Sequence, residues 1–468
     1  MKKKNILLVL FGLVLGLSVA YAAELINSKD ISFSNGTTNL KANNVQEAIE
    51  EIYNKTIDNS SCKNVSAPKL GSGLIPVTIE NDGTVKYADT AKSWYNYCDK
   101  IWANAVILED GASYNVGDTI SEVDIQSYFV WIPKYKYKLW NTGTASEGIH
   151  EIDIVFDETN TTDIEGVSCK TPMASGESGN CNNGEYMTNP AFISMNTNGF
   201  WVGKFETGYK GATSVSSSQV NANDTSKVIV KPNVYSWRGI TVKNMFETSY
   251  NYKRDLDSHM MKNTEWGAIS YLSHSKYGLG YEVNINNNSS YKTGFSSSPT
   301  ASQLTIPGDS GDGNNFNTTY NTAIGYKAST TGNISGVYDM SGGSHEYMSS
   351  YLNGKTGVSG FTASTLSNYD SKYFDVYSSS SKESTFQYRI LGDATAEMGP
   401  FKNYADGNNA AVYHSTWYND SSGFIESDYP WFNRGGDFTY GVTAGIFDFR
   451  RFTGGAATYL SFRIVLTS

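Results

Sequence analysis

Ile334–Ser335–Gly336–Val337–Tyr338–Asp339–Met340–Ser341–Gly342–Gly343–Ser344–His345–Glu346 is the stretch from which the fold of this chain is read. Its paired glycines allow a sharp turn between two carboxylates, Asp339 and Glu346. Downstream come Arg434–Gly435–Gly436 and then Phe462–Arg463. Both arginines are read as structural, holding carbonyls or carboxylates beneath the loops. Upstream, Phe129–Val130–Trp131–Ile132–Pro133 and Phe200–Trp201–Val202–Gly203–Lys204–Phe205–Glu206 read as strands. Asn263–Thr264–Glu265–Trp266 reads as a helix start capped by Asn263. Trp266, Ile269 and Leu272 give that helix an apolar face.

In this order the segments resemble the motif series of the formylglycine-generating-enzyme-like (sulfatase-modifying factor) family, whose fold is C-type-lectin-like. The resemblance covers residues 120–468. It implies an irregular α+β domain in which few regular strands support long loops, and function lies on the loops. Tyr281–Thr319 and Thr356–Glu383, rich in Ser, Asn and Gly, are expected to be long surface loops. The family's enzymes carry a reactive cysteine pair shortly after the Arg-Gly-Gly motif, because a thiolate binds copper and takes part in redox chemistry. Counted from Arg434, those positions fall near Tyr440 and Gly445, which lack sulfur. Members that use nonheme iron need His and carboxylate ligands. Of the five histidines (150, 259, 274, 345 and 414), His414 stands with no second histidine near it in sequence and is read as a surface residue. The resemblance therefore points away from catalysis. It also implies a structural calcium site at Asp339, Gly342, Ser344 and Glu346, where a hard cation would take oxygens from one folded loop.

The segment from Arg434 to Arg463 further resembles the ligand-binding tail of lectin-fold surface proteins diversified by retroelements. Gly435, Gly436, Ala444, Gly445, Phe447, Phe449, Ala456, Phe462 and Arg463 would be its skeleton. Asp437, Tyr440, Thr443, Arg450, Arg451, Thr453, Thr458 and Tyr459 would be its ligand-contacting positions. The competing reading is that these residues only close the fold.

The chain has 468 residues, 39% hydrophobic and 18% charged, which suggests two or three units. Tyr (33) and Gly (44) are abundant, a composition suited to contact surfaces. Met1–Lys4, an apolar run from Ile6 to Val19 and Ala20–Tyr21–Ala22 read as a signal peptide, residues 1–22. An uncleaved anchor is the alternative, since the run to Ala23 reaches the short limit of a spanning helix. The net charge of −10 argues against nucleic acid and anionic membrane as partners. Export makes Cys62, Cys98, Cys169 and Cys181 disulfide candidates. Cys169 and Cys181 flank a polar loop, which favours that pair and leaves Cys62 with Cys98, one of three connectivities.

Residues 23–65 are expected to hold a short helix with Val45, Ala48, Ile49 and Ile52 on one face. That helix either packs on its own domain or self-associates through residues 40–55. It resembles segments of phage fibres and Gram-positive surface proteins. Residues 66–119 read as a small β-rich spacer, with turns at Gly71–Ser72–Gly73, Asn81–Asp82–Gly83 and Asp110–Gly111. Asp309, Asp312 and Asn314 fail the EF-hand spacing and read as a flexible turn. Gly308–Asp309–Ser310–Gly311 imitates a serine-protease motif without the histidine that chemistry needs. No zinc-protease, P-loop or Rossmann motif occurs.

The expectation is a secreted or cell-surface bacterial binding and adhesion protein that is not an enzyme. Its partner would be a protein or glycan on a cell surface. The sugar case is weakened because the Glu-Pro-Asn and Gln-Pro-Asp motifs of calcium-dependent lectins are missing. The alternatives are a metal-dependent enzyme of altered chemistry and a structural subunit of a surface appendage or phage-derived fibre.

Overall fold

The computed structural model describes residue 32 and residues 43–49, 64–139, 149–157, 186–297, 318–378, 390–395, 397–398, 402–403 and 414–467. The chain divides into two units, Met1–Ser61 and Cys62–Ser468. In the first, residues 45–49 are helical. The Asn44 side chain accepts the Glu47 N–H at 2.8 Å and the Glu47 carboxylate accepts the Asn43 N–H at 2.8 Å, a reciprocal cap. Ala48 is buried, but Ile49, expected on the same apolar face, is exposed. Ile52 and the expected signal peptide lie outside the described residues.

The second unit is mixed α+β and mostly sheet. Its first sheet runs His259–Met260, Ile464–Leu466, Gly199–Gly203, Ile125–Pro133, Asn104–Leu108, Ile75–Ile79, Val85–Tyr87, Thr119–Ile120, with every neighbouring pair antiparallel. The central strands, Ile125–Pro133 and Gly199–Gly203, are buried along nearly their whole length, as continuous apolar runs require. Trp131 lies opposite Trp201 with ring centroids 5.3 Å apart. Three strands of this sheet and the start of a fourth come from residues 66–119, so that segment is not a spacer. Its alternating apolar residues, such as Val77, Val85 and Val106, close the same core as the domain it was expected to precede.

The second sheet runs Asp375–Tyr377, His345–Leu352, Trp431–Arg434, Phe449–Phe452, Ser421–Ser422, His414–Ser415, Lys402–Asn403, and Leu460–Ser461 also pairs with His345–Leu352. The helix Asn263–Ser273 lies wholly buried. It starts one residue earlier than expected: Lys262 is the cap position and the Glu265 carboxylate accepts its N–H at 2.8 Å. Asn263, freed from capping, donates to the Tyr377 hydroxyl and accepts from Arg434.

The expected surface loops are corrected in part. Val283, Ile285, Asn286, Thr293 and Phe295 are buried, because Asn286 and Thr293 satisfy internal carbonyls and carboxylates. Phe361, Tyr373, Phe374 and Tyr377 are likewise buried in an aromatic cluster. Residues 298–317, with Asp309, Asp312 and Asn314, lie outside the described residues. No helix among the described residues is long and apolar enough to cross a membrane.

Candidate functional site: an aromatic face over a buried charge network

The Gly203–Lys204–Phe205–Glu206 segment leaves its strand carrying two charged side chains into the core, both fully buried. Lys204 Nζ donates to Asn104 Oδ1 at 2.9 Å, to the Ile334 carbonyl at 2.7 Å and to the Gly336 carbonyl at 2.8 Å. Burial pushes its ammonium well below the usual lysine range. Lys204 therefore fastens the Ile334–Gly336 stretch to the first sheet. Glu206 accepts from the Ser344 N–H at 2.8 Å and from the Ser236 hydroxyl. Burial, followed by the nearby Asp339 and Glu346 carboxylates, pushes its carboxyl well above the usual range.

Arg463 answers this concentration of acids. Its Nε donates to Glu346 Oε2 at 2.9 Å and its Nη2 to Glu346 Oε1, a two-pronged pair of zero exposure. Its other contacts are the Gly203 carbonyl at 2.8 Å and the Tyr338 carbonyl at 3.0 Å. Burial alone would lower the guanidinium, but Glu346 and Asp339 hold it above the ordinary value.

This arrangement bears on the calcium expectation at Asp339, Gly342, Ser344 and Glu346. Both Glu346 oxygens face Arg463, while Asp339 accepts from Asn286 Nδ2 at 2.9 Å and from the Gly294 N–H at 2.9 Å. Ser344 turns its N–H toward Glu206. Hydrogen-bond donors thus already satisfy both carboxylates on which the calcium reading depends. The structural reading of Arg463 accounts for the same charges. The described residues contain no group of three or more His, Cys, Asp or Glu placed to hold a metal.

Above the network the chain turns outward. Tyr440 is 36% exposed, and the Arg450 guanidinium lies 3.8 Å over its ring. Beneath Tyr440 sits His345, buried, with ring centroids 4.9 Å apart in an edge arrangement. Tyr459 stands 6.1 Å from His345 and 5.9 Å from Phe452. Phe438 continues the face toward Tyr291 at 4.8 Å, and Arg238 covers Tyr291 at 4.0 Å. Among the described residues the His345 Nδ1 has no hydrogen-bond partner, and burial followed by the Arg450 charge holds its ring well below the usual histidine range. A neutral imidazole here serves as packing floor.

Of the expected contact positions, Tyr440, Thr443, Arg450, Thr458 and Tyr459 come together on or beside this face. Thr453 is partly buried, and its carbonyl accepts the Val358 N–H at 2.9 Å. Asp437 and Arg451 are corrected. Asp437 is buried and accepts the Thr439 N–H at 2.7 Å and hydroxyl at 2.6 Å, which shapes the turn. Arg451 is buried against the Phe424 carbonyl at 3.1 Å and the Glu426 carboxylate at 3.1 Å. Strand alternation explains the difference: Arg450 and Arg451 are neighbours and point to opposite faces. Of the skeleton, Ala456 is exposed.

The two positions that the resemblance assigns to cysteines are filled differently. Tyr440 is surface ring, and at Gly445 a Cβ would overlap the Asp420 carboxylate. Cys98 is disulfide-bonded. Cys62, Cys169 and Cys181 lie outside the described residues. His414 lies in a short strand of the second sheet, apart from His150, His259, His274 and His345 in sequence.

Sequence reasoning missed His345, Arg238, Tyr291 and Phe438. His345 packs edge to face against Tyr440 as an aromatic residue would.

No family model matches the chain, and no curated protein matches it. Among solved structures it is similar to the Major Tropism Determinant I1 variant (11% identity, TM-score 0.26), the M1 variant (11%, 0.27) and the U1 variant (10%, 0.27). Each alignment covers 87% of this chain and 97% of the other. Likeness at this level leaves the topology to be read from the chain's own strand pairing.

Proposed function

We propose that this chain is an extracytoplasmic, non-enzymatic binding protein with a lectin-like domain, and that the face around Tyr440 and Arg450 docks a protein on a cell surface. The observation that carries the reading is the exposed Tyr440 ring held between Arg450 at 3.8 Å and buried His345 at 4.9 Å. Tyrosine and arginine dominate the energetics of protein interfaces, and rings fixed before contact lose little entropy on binding. The lectin-like reading draws support from the return of strand Ile464–Leu466 to pair with Gly199–Gly203, which makes the intervening chain one long excursion carrying loops.

The test is adhesion of the bead-coupled full chain to a panel of intact bacterial and epithelial cells, before and after protease treatment of those cells. Tyr440→Ala and Arg450→Ala are each expected to reduce adhesion about tenfold, a loss typical of an interface anchor. Protease treatment of the target cells should abolish it. Adhesion that survives both substitutions would overturn the assignment of the face.

A further inference from the structure

A second set of half-buried aromatics lies in the region expected to be a spacer. Two hollows, about 410 Å³ and about 330 Å³, share the wall Ser93–Trp94–Tyr95. Each falls at the small end of the range for ligand sites. The larger is floored by Val77, Ile79 and Trp102 and edged by Thr78 and Asn96, and no charged side chain lines it. The smaller has one, Lys92, already paired with Asp89 at 3.4 Å. In a chain of net charge −10, an uncharged cleft selects against ionic ligands.

The polar tips of Trp94 and Tyr95 differ from those of the six fully buried tryptophans. Trp102, Trp131, Trp201, Trp237, Trp266 and Trp431 each donate the ring N–H to a backbone carbonyl. Trp94 makes no such bond among the described residues, and neither does the Tyr95 hydroxyl, although both side chains are half-buried. Their rings meet edge to face at 5.2 Å. Behind them Tyr95 packs on Tyr97 at 5.9 Å, and Tyr97, fully buried, donates to the Trp131 carbonyl at 2.6 Å. Cys98, the next residue, is disulfide-bonded. The pair is thus anchored from below and presents two flat apolar faces with two unused polar tips. Rings of this kind serve ligands that are apolar on one side and hydrogen-bonding at the edge.

We propose that the cleft around Trp94 and Tyr95 binds an uncharged oligosaccharide. Sugar C–H faces stack on the two rings, and sugar hydroxyls take up the Trp94 N–H and the Tyr95 and Thr78 hydroxyls. Neutrality of the lining decides between this ligand and an acidic or basic peptide. The site is separate in sequence and composition from the Tyr440 face, so the two readings stand or fall independently.

The test is calorimetric titration of the full chain with cellotriose, maltotriose and tri-N-acetylchitotriose, with 3′-sialyllactose as the anionic comparator. At least one neutral trisaccharide is expected to bind with a Kd of about 1 mM or tighter. Trp94→Ala should weaken it about tenfold or more at an unchanged melting temperature. Trp94→Phe, which keeps the ring and removes the N–H, should lose only part, and Tyr440→Ala none. The proposal is overturned if no neutral trisaccharide binds, if Trp94→Ala leaves binding intact, or if sialyllactose binds best.

Discussion

At the scale of single residues, the molecule depends on charges taken out of water. Arg463 and Glu346 form a fully enclosed pair, and removing one partner leaves the other buried and unmatched. Glu346→Gln and Arg463→Met are each expected to destabilise the second unit by about 3–5 kcal/mol in denaturant unfolding. The double substitution should cost less than the two losses added, since neither charge then remains. Because Arg463 occupies the Glu346 oxygens, chelation of calcium should leave the melting temperature unchanged; a drop on chelation would restore the metal to that loop. Other acids set the pH response. Burial lifts Glu397 to about 7, Asp448 to about 6 and Asp375 to about 6. In the folded state these groups hold protons that the unfolded chain releases near pH 4. Their contribution is therefore complete below that pH and is lost as pH rises through about 6 to 7. His274, lowered to about 4 mainly by burial, works in the opposite sense between about 4 and its ordinary value. Between pH 6 and 8 the acids dominate, so the melting temperature should fall by a few degrees, on the order expected for a linkage of this size. Glu397→Gln should flatten part of that slope.

At the scale of elements, the helix Asn263–Ser273 shows what packing demands. Trp266 Nε1 donates to the Ile446 carbonyl at 2.7 Å and ties the helix to the C-terminal loop. Opposite it, a Cβ at Gly267 would overlap the Gly392 carbonyl oxygen. Gly267→Ala, a gain in helix propensity on an exposed helix, should here destabilise by about 1–3 kcal/mol, measurable by urea titration. The helix, the two long apolar strands and their order were legible in the sequence, because tryptophan, valine and phenylalanine at regular spacing have few other uses. The buried loops were not. Asn286 and Thr293 read as surface residues, yet they satisfy internal polar atoms, and a side-chain amide looks the same in sequence whether its partner is water or a carbonyl. The face was legible in part for a related reason: Tyr440 and Arg450 were anticipated, whereas Arg451 was assigned to the wrong side of its strand because a sequence does not print strand register.

At the scale of the molecule, residues 66–119 supply three strands of the first sheet and the start of a fourth. A chain beginning at residue 120 should not fold, since Asn104–Leu108 would no longer cover Ile125–Pro133. Circular dichroism and proteolysis of that truncation would check it; a protease-resistant product would return the segment to the status of a spacer.

The contact between Arg463 and the Gly203 carbonyl joins positions 260 residues apart. While the chain is being made, the strand Gly199–Gly203 has nothing on that flank until residue 466 has cleared the ribosome. Until then the first sheet waits with an open edge. Closing so long an interval is slow. The growing polypeptide should need a chaperone to shield that edge, and arrest of translation anywhere before the final strand should yield an aggregate rather than a smaller folded domain.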